Sequence, residues 1–257
     1  EALGRWLGPV ALGRMQDEVL HPPSGKGRKV LLQVSPRTPL AGWQETLLLL
    51  MRGHHVRLRY TGGRDPLSAL LVRFIAEAFP DAADMLRMHS PTETCDAFFL
   101  CPVNNRTGYG NYFKDRPAYV RPFTQAAAVL DGNETPQALQ ALASDMLVDF
   151  GLHPNNVKKL FVPEGFSLDT LFPHTLHWEA LAQHGRYGNY YEYNRSLFLM
   201  DNKSLYENGL LMFHETPEWD APVGMVFLST YKHLGEVHIP PQDVSFVVGT
   251  GHNLASG

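Results

Sequence analysis

Three short apolar runs, set apart by helix-like stretches, most constrain what this chain can fold into. KVLLQVS (29–35), HHVRLRY (54–60) and CDAFFLC (95–101) each have the length of a strand. Between them lie LAGWQETLLLLMRG (40–53), which stops on Gly53, and DPLSALLVRFIAEAFP (65–80), with Asp65 as a cap, Pro66 in the first turn and Pro80 at the close. KVLLQVS and CDAFFLC read as buried strands and HHVRLRY as one of alternating character; short apolar strands alternating with helices predict a parallel sheet covered on both faces. Parallel neighbours need crossover connections, and the crossover helices bury both sides. AYVRP (118–122) and AAAVLD (126–131) read as further strands.

A second unit begins near DGNETP (131–136). Pro136 opens the helix PQALQALASDMLVDF, a loop follows, and KKLFVPEG (158–165) is a strand. LDTLFPHTLHWEALAQHG (168–185) reads as a helix interrupted at Pro173. The aromatic segment RYGNYYEYNRSLFLM leads to strands GLLMFHE (209–215) and VGMVFLSTY (223–231). The expected organisation is a Rossmann-like cofactor-type domain over 1–134, a catalytic-type α/β domain over 135–222, and a return segment and tail over 223–257.

Composition narrows the function. A net charge of −4 with 19% charged residues offers no clustered positive face for nucleic acid. Cys95 and Cys101, the only cysteines, make no disulfide framework, which points to a reducing cytoplasm. No stretch approaches the roughly 18 apolar residues of a membrane helix. The opening EALGRWLGPVALGRM reads as a helical lead-in without the layout of a signal peptide. It lacks an initial Met, so trimmed termini are expected.

Several words in order carry a resemblance: TPLAGWQETLLLLMRGHHV, VNNRTGYGNYFKDRPAYVR, AAAVLDGNET, GLHPNNVKKLFVPEGF, RYGNYYEYNRSLFLM and ENGLLMFHE. Over about residues 30–231 the chain resembles the bacterial acyl-CoA reductases related to the fatty-acid reductase of luminescent bacteria, within the aldehyde dehydrogenase superfamily. The resemblance implies an aldehyde dehydrogenase-like α/β fold, a Rossmann-like parallel sheet domain plus a second α/β domain. It implies hydride transfer from NADP or NAD to a fatty acyl group held as a thioester on a cysteine.

The departures from that family fall on the chemistry. Where the family carries Gly-Leu-Gly-Cys-Arg-Asn-Val-Ser-Lys, this chain reads Gly151-Leu152-His153-Pro154-Asn155-Asn156-Val157-Lys158-Lys159. Pro154 at the cysteine position supplies no thiolate and no backbone N–H for an oxyanion. Arg37, in Pro36-Arg37-Thr38-Pro39, replaces the asparagine implied as second oxyanion donor; one such donor is typically worth a factor of about 10²–10³ in rate. In the cofactor site the Thr-Gly-Ser-Asn-Asn turn becomes Cys101-Pro102-Val103-Asn104-Asn105, and the lysine-containing turn becomes Arg59-Tyr60-Thr61-Gly62-Gly63. Glycines that let a backbone approach a dinucleotide are lost, so weakened binding is expected, with Arg59, Thr61, Asn104 and Asn105 as the candidate cofactor contacts. No residue is assigned a catalytic role and none a metal.

Other candidates have plainer readings. Cys101, at the end of a sheet strand, is the alternative nucleophile of a still-active reductase, or else a buried apolar side chain. His153 is a local hydrogen-bonding residue or a base. His174, His177 and His184 lack a cysteine partner for a metal and read as packing side chains. His54-His55 opens a strand. GTGHNLASG (249–257) precedes no helix and fails as a phosphate loop. The Tyr-rich run 187–193 is either packing or a partner surface. The expected function is a divergent acyl-CoA-reductase-like protein without thioester chemistry, binding a ligand such as acyl-CoA or a protein partner such as an active enzyme. The alternatives are a reductase using Cys101 and a non-covalent NAD(P)-dependent oxidoreductase.

Overall fold

The computed structural model describes residues 27–35, 38–62, 65–103, 115–122, 125–153, 155–240 and 244–249. The expectations for Pro36, Arg37, Gly63, Asn104, Asn105, Pro154, the lead-in at 1–15 and the tail beyond Gly249 fall outside these residues. The chain divides into two compact units, one ending with the described residue Pro122 and the other starting at Gln125.

The first unit is a parallel five-stranded sheet with strand order β3-β2-β1-β4-β5. The strands are β1 Lys29–Val34, β2 His55–Tyr60, β3 Leu86–Met88, β4 Ala97–Val103 and β5 Ala118–Pro122. Helix α1, Trp43–Met51, links β1 to β2, and α2, Pro66–Ala78, links β2 to β3. Both helices pack on one face, where Val34, Trp43, Val56, Leu58, Val72 and Cys101 form the core. Cover by helices on both faces was expected; among the described residues α1 and α2 share one. α2 starts as its sequence dictates. Asp65 accepts the Leu67 amide and Pro66 occupies the first turn. α1 has no side-chain cap; Gly42 precedes it at φ 83°, and a Cβ there would lie 2.4 Å from Val34 Cγ2. Only glycine satisfies both demands.

The second unit holds a six-stranded sheet, β11-β6-β7-β10-β9-β8, parallel except for the β8–β9 pair. Its strands are β6 Gln125–Val129, β7 Val157–Pro163, β8 Tyr206–Glu207, β9 Met212–Glu215, β10 Met225–Tyr231 and β11 Val244–Gly249. α3, Pro136–Leu147, is capped by Thr135, whose hydroxyl accepts the Ala138 amide. It buries Leu139, Leu142, Ala143, Met146 and Leu147, the helical stripe expected of a helix laid on a sheet. α5, Gly185–Met200, buries Tyr187, Tyr191 and Asn194.

Three local expectations need correction. The run 126–131 was read with the first domain, yet β6 is hydrogen-bonded into the second sheet beside β7. Cys101 lies on the strand as expected, but Pro102 and Val103, read as a turn, continue β4 to its end. The ladder shifts register between Leu100 and Val103, the kind of irregularity that accommodates a proline in a strand. Pro173 does not interrupt a long helix. It opens the four-residue α4, Phe172–Thr175, which lies between the 3-10 turns Leu168–Thr170 and Leu176–Leu181.

Candidate functional site

In the first unit the strand order reverses between β1 and β4. From β1 the chain winds outward through β2 and β3, whereas β4 lies on its other side. Ligands of open parallel sheets bind outside the carboxyl ends of the strands at such a point. Ser35 donates its amide to the Cys101 carbonyl at 3.1 Å, tying these two ends together. A buried network fixes the helix starts nearby. Ser68 Oγ receives Trp43 Nε1 and Tyr60 Oη, both at 2.7 Å, and donates to Asp65 Oδ2 at 2.6 Å. Asp65 Oδ2 also accepts the Leu40 amide at 3.2 Å, so one carboxylate organises the entrance to α1 and the cap of α2. Burial pushes the Tyr60 phenol up to about 12, which keeps it a neutral donor. Glu45 of α1 and Arg121 of β5 form an ion pair.

Of the expected cofactor contacts, Arg59 is exposed on β2. Thr61 follows the strand with its amide 2.9 Å from the Val34 carbonyl and its hydroxyl 3.3 Å from the same oxygen. The threonine hydroxyl is thus engaged by β1, while Arg59 remains exposed.

Cys101 is corrected as a nucleophile. Only 2% of its surface is exposed, it belongs to the core under α1 and α2, and burial drives its thiol far above the usual range, with Glu45 adding to the effect. A thiol held protonated neither attacks a thioester nor leaves as a thiolate. Cys95, also free, has its thiol raised by partial burial and the nearby Glu93.

In the second unit a loop lies between α3 and β7. Three successive residues, Asp149, Phe150 and Gly151, take left-handed conformations at φ 52°, 61° and 63°. Two of them are not glycine, a costly arrangement that the surroundings must hold in place. Phe150 packs on the imidazole of His184, their ring centroids 4.6 Å apart. Asn156 is buried to 1% exposure and bonds in three directions. Its Nδ2 donates to the carbonyls of Asp145 at 2.9 Å and Val148 at 3.0 Å, closing the end of α3, while its Oδ1 accepts the His153 amide at 2.7 Å. The His153 ring nitrogen Nδ1 accepts the Asn155 amide at 3.1 Å, so it serves the loop's own backbone.

Two lysines then point to opposite faces of β7. Lys159 Nζ is hydrogen-bonded to the carbonyls of Thr216 and, at 3.1 Å, Glu218, and lies over the rings of Phe161 and Trp219 at 5.6 and 5.8 Å. Burial lowers it to about 8, opposed by the charge of Glu218. Lys158 faces the α3 side. Among the described residues its Nζ makes one hydrogen bond, to the Pro222 carbonyl at 3.3 Å, and burial lowers it to about 7. A Cβ on Gly151 would stand 3.0 Å from this nitrogen, so the loop backbone passes directly over the amine. Sequence reasoning passed over Lys158. The signal was present in a lysine pair at the start of a buried strand, where alternation obliges the two to face opposite sides.

Two of the other candidate histidines pack on aromatic rings. His177 stacks against Trp178 and His184 against Phe150. Among the described residues no three His, Cys, Asp or Glu side chains converge as metal ligands, and no helix is long and apolar enough to cross a membrane.

No family model and no curated protein matches this sequence. Solved structures do match in fold. The P. syringae indole-3-acetaldehyde dehydrogenase, a mutant in complex with NAD+ and IAA, aligns over 81% of this chain and 52% of its own at 14% identity and TM-score 0.58. The NAD-dependent aldehyde dehydrogenase of Sinorhizobium meliloti aligns over 88% and 57% at 14% identity and TM-score 0.61. The Bartonella henselae aldehyde dehydrogenase aligns over 93% and 67% at 10% identity and TM-score 0.57. This chain has an aldehyde dehydrogenase-like α/β fold, and it spans about half to two thirds of the length of these structures.

Proposed function

We propose that this chain is a divergent acyl-CoA-reductase-like protein that has given up thioester-forming reduction and acts by binding a ligand or a protein partner, such as an active enzyme. One observation carries the reading. Both cysteines of the chain belong to the first unit, Cys101 is sealed in its core, and the sequence entering β7 contains no thiol. Acyl transfer through this fold's resemblance family needs a sulfur at Pro154, and none stands there. The free state of both cysteines suits a reducing, cytoplasmic compartment.

Nucleotide binding is the second reading, a nicotinamide-dependent oxidoreductase that moves hydride without a covalent step. The β3-β2-β1-β4-β5 order favours it, because that order leaves a crevice at the carboxyl ends of β1 and β4. Arg59 and Thr61, with Asn104 and Asn105, are the residues proposed to touch NADP or NAD. The NAD+ bound in the P. syringae structure belongs to that protein and lends support by fold alone.

Following NADPH absorbance with a long-chain acyl-CoA tests the main reading: no turnover is expected. Turnover that Cys101→Ser abolishes would overturn it. Calorimetry with NAD and NADP tests the second; no detectable heat eliminates it.

A further inference from the structure

We propose that α5 carries a self-association surface, on which a second copy of this chain packs antiparallel to form a two-fold dimer. The helix has two apolar faces, and the fold uses one of them. Tyr187, Tyr191 and Asn194 are buried, and Phe198 packs against the cluster around Tyr191. About a third of a turn away run Tyr190, Tyr193, Leu197 and Met200, each between 40% and 78% exposed. Single apolar side chains scattered over a surface are ordinary; four in line along one helix form a patch of the kind that marks an interface.

The order of these four side chains points to what covers them. They are three, four and three residues apart, the spacing by which two helices interlock side by side. That series reads the same from either end. An antiparallel copy is therefore in register, Tyr190 meeting the partner's Met200 and Tyr193 the partner's Leu197, each contact made twice. A face complementary to itself in this way is what a two-fold dimer requires. The charges at the helix ends agree. Arg186 stands in the first turn of α5 and Asp201 directly follows its last residue; both are exposed, and neither joins an ion pair among the described residues. Each sits at the wrong end for its own helix, whose dipole favours anions at the start and cations at the close. An antiparallel partner reverses both. Arg186 then falls beside the last carbonyls of the partner's α5, about 4.5 Å along the axis from the level of the partner's Asp201. Arg195, the other arginine of α5, is bonded to Glu207 within the chain.

The size of the surface sets its strength. One helix of 16 residues offers a seam far short of the roughly 20–30 residues that each side of a standard interface contributes. The dimer is accordingly a weak one, with Kd of about 1–100 µM. The inference concerns self-association alone and stands whether or not acyl-CoA turnover or nucleotide binding is found.

The test is sedimentation equilibrium of the 257-residue chain from about 1 to 300 µM, where a reversible monomer–dimer equilibrium is expected. Tyr193→Glu and Leu197→Lys change exposed side chains outside the core, so both variants are expected to keep the parent circular dichroism spectrum and to associate at least about tenfold more weakly. Mixed in equal amounts, they are expected to associate at least about tenfold more tightly than either alone. The antiparallel register sets the carboxylate of one against the ammonium of the other and leaves Leu197 against Tyr193 in the second layer. A parent chain that is monomeric throughout, a dimer that both variants retain, or a mixture that associates no better than its components overturns the proposal.

Discussion

Asn156 and Lys158 sit two positions apart on the chain and make opposite contributions to stability. Asn156 closes the end of α3 and orders the following loop through three hydrogen bonds. Replacing it by alanine leaves two helix-end carbonyls and one amide without partners, so Asn156→Ala is expected to cost roughly 1–3 kcal/mol in urea unfolding. Lys158 costs stability. Its folded-state value near 7 lies below the ordinary value of an unfolded lysine, so above pH 7 the unfolded chain binds the extra proton. Stability therefore rises with pH from about 7 to about 10.5 and is lowest below 7, where the amine is charged in both states. Lys158→Met is expected to stabilise the protein by roughly 1–4 kcal/mol at pH 7 and to flatten that rise, measured by denaturation across pH. The sequence marked Asn156 only through the resemblance noted above. It showed the lysine pair but not which member has the fewer acceptors, since the acceptor of Lys158 is Pro222, more than sixty residues away.

Elements with local signals were legible: α2 starts at the Asp65 cap and Pro66, and α3 at Pro136, where the structure adds Thr135 as the cap. Asp65→Ala removes the α2 cap together with its bonds to Ser68 and Leu40, and is expected to cost at least about 1 kcal/mol of thermal or chemical stability. Elements without such signals were missed. β3 and β8 are three and two residues long and owe their existence to neighbouring strands. β11 is held by β6, over a hundred residues earlier. The tyrosine run divides by helical period: Tyr187 and Tyr191 are buried, Tyr190 and Tyr193 exposed. Tyr187 donates to the Leu210 carbonyl at 2.6 Å inside the core, so Tyr187→Phe should lose about 1 kcal/mol, while Tyr193→Ala stays within about 0.5 kcal/mol in the same assay.

For the whole molecule, alternation of strands and helices announced the parallel α/β fold, and the solved aldehyde dehydrogenases bear it out. The partition was harder to read. Ala126–Ala128 are apolar enough for either sheet, and only pairing with β7 and β11 assigns β6 to the second. The edge proposed for a cofactor lies at the reversal between β1 and β4, and Thr61 there is engaged with Val34. Arg59 is exposed on β2 and is the residue proposed to meet a phosphate, so Arg59→Ala is expected to weaken any NADP binding seen by calorimetry by at least about tenfold.

The central claim is that no sulfur in this protein captures an acyl group. Intact-mass spectrometry after incubation with a long-chain acyl-CoA, quenched in acid, reads this directly. The account predicts an unchanged mass; an acyl addition that maps to Cys101 and disappears in Cys101→Ser would contradict it.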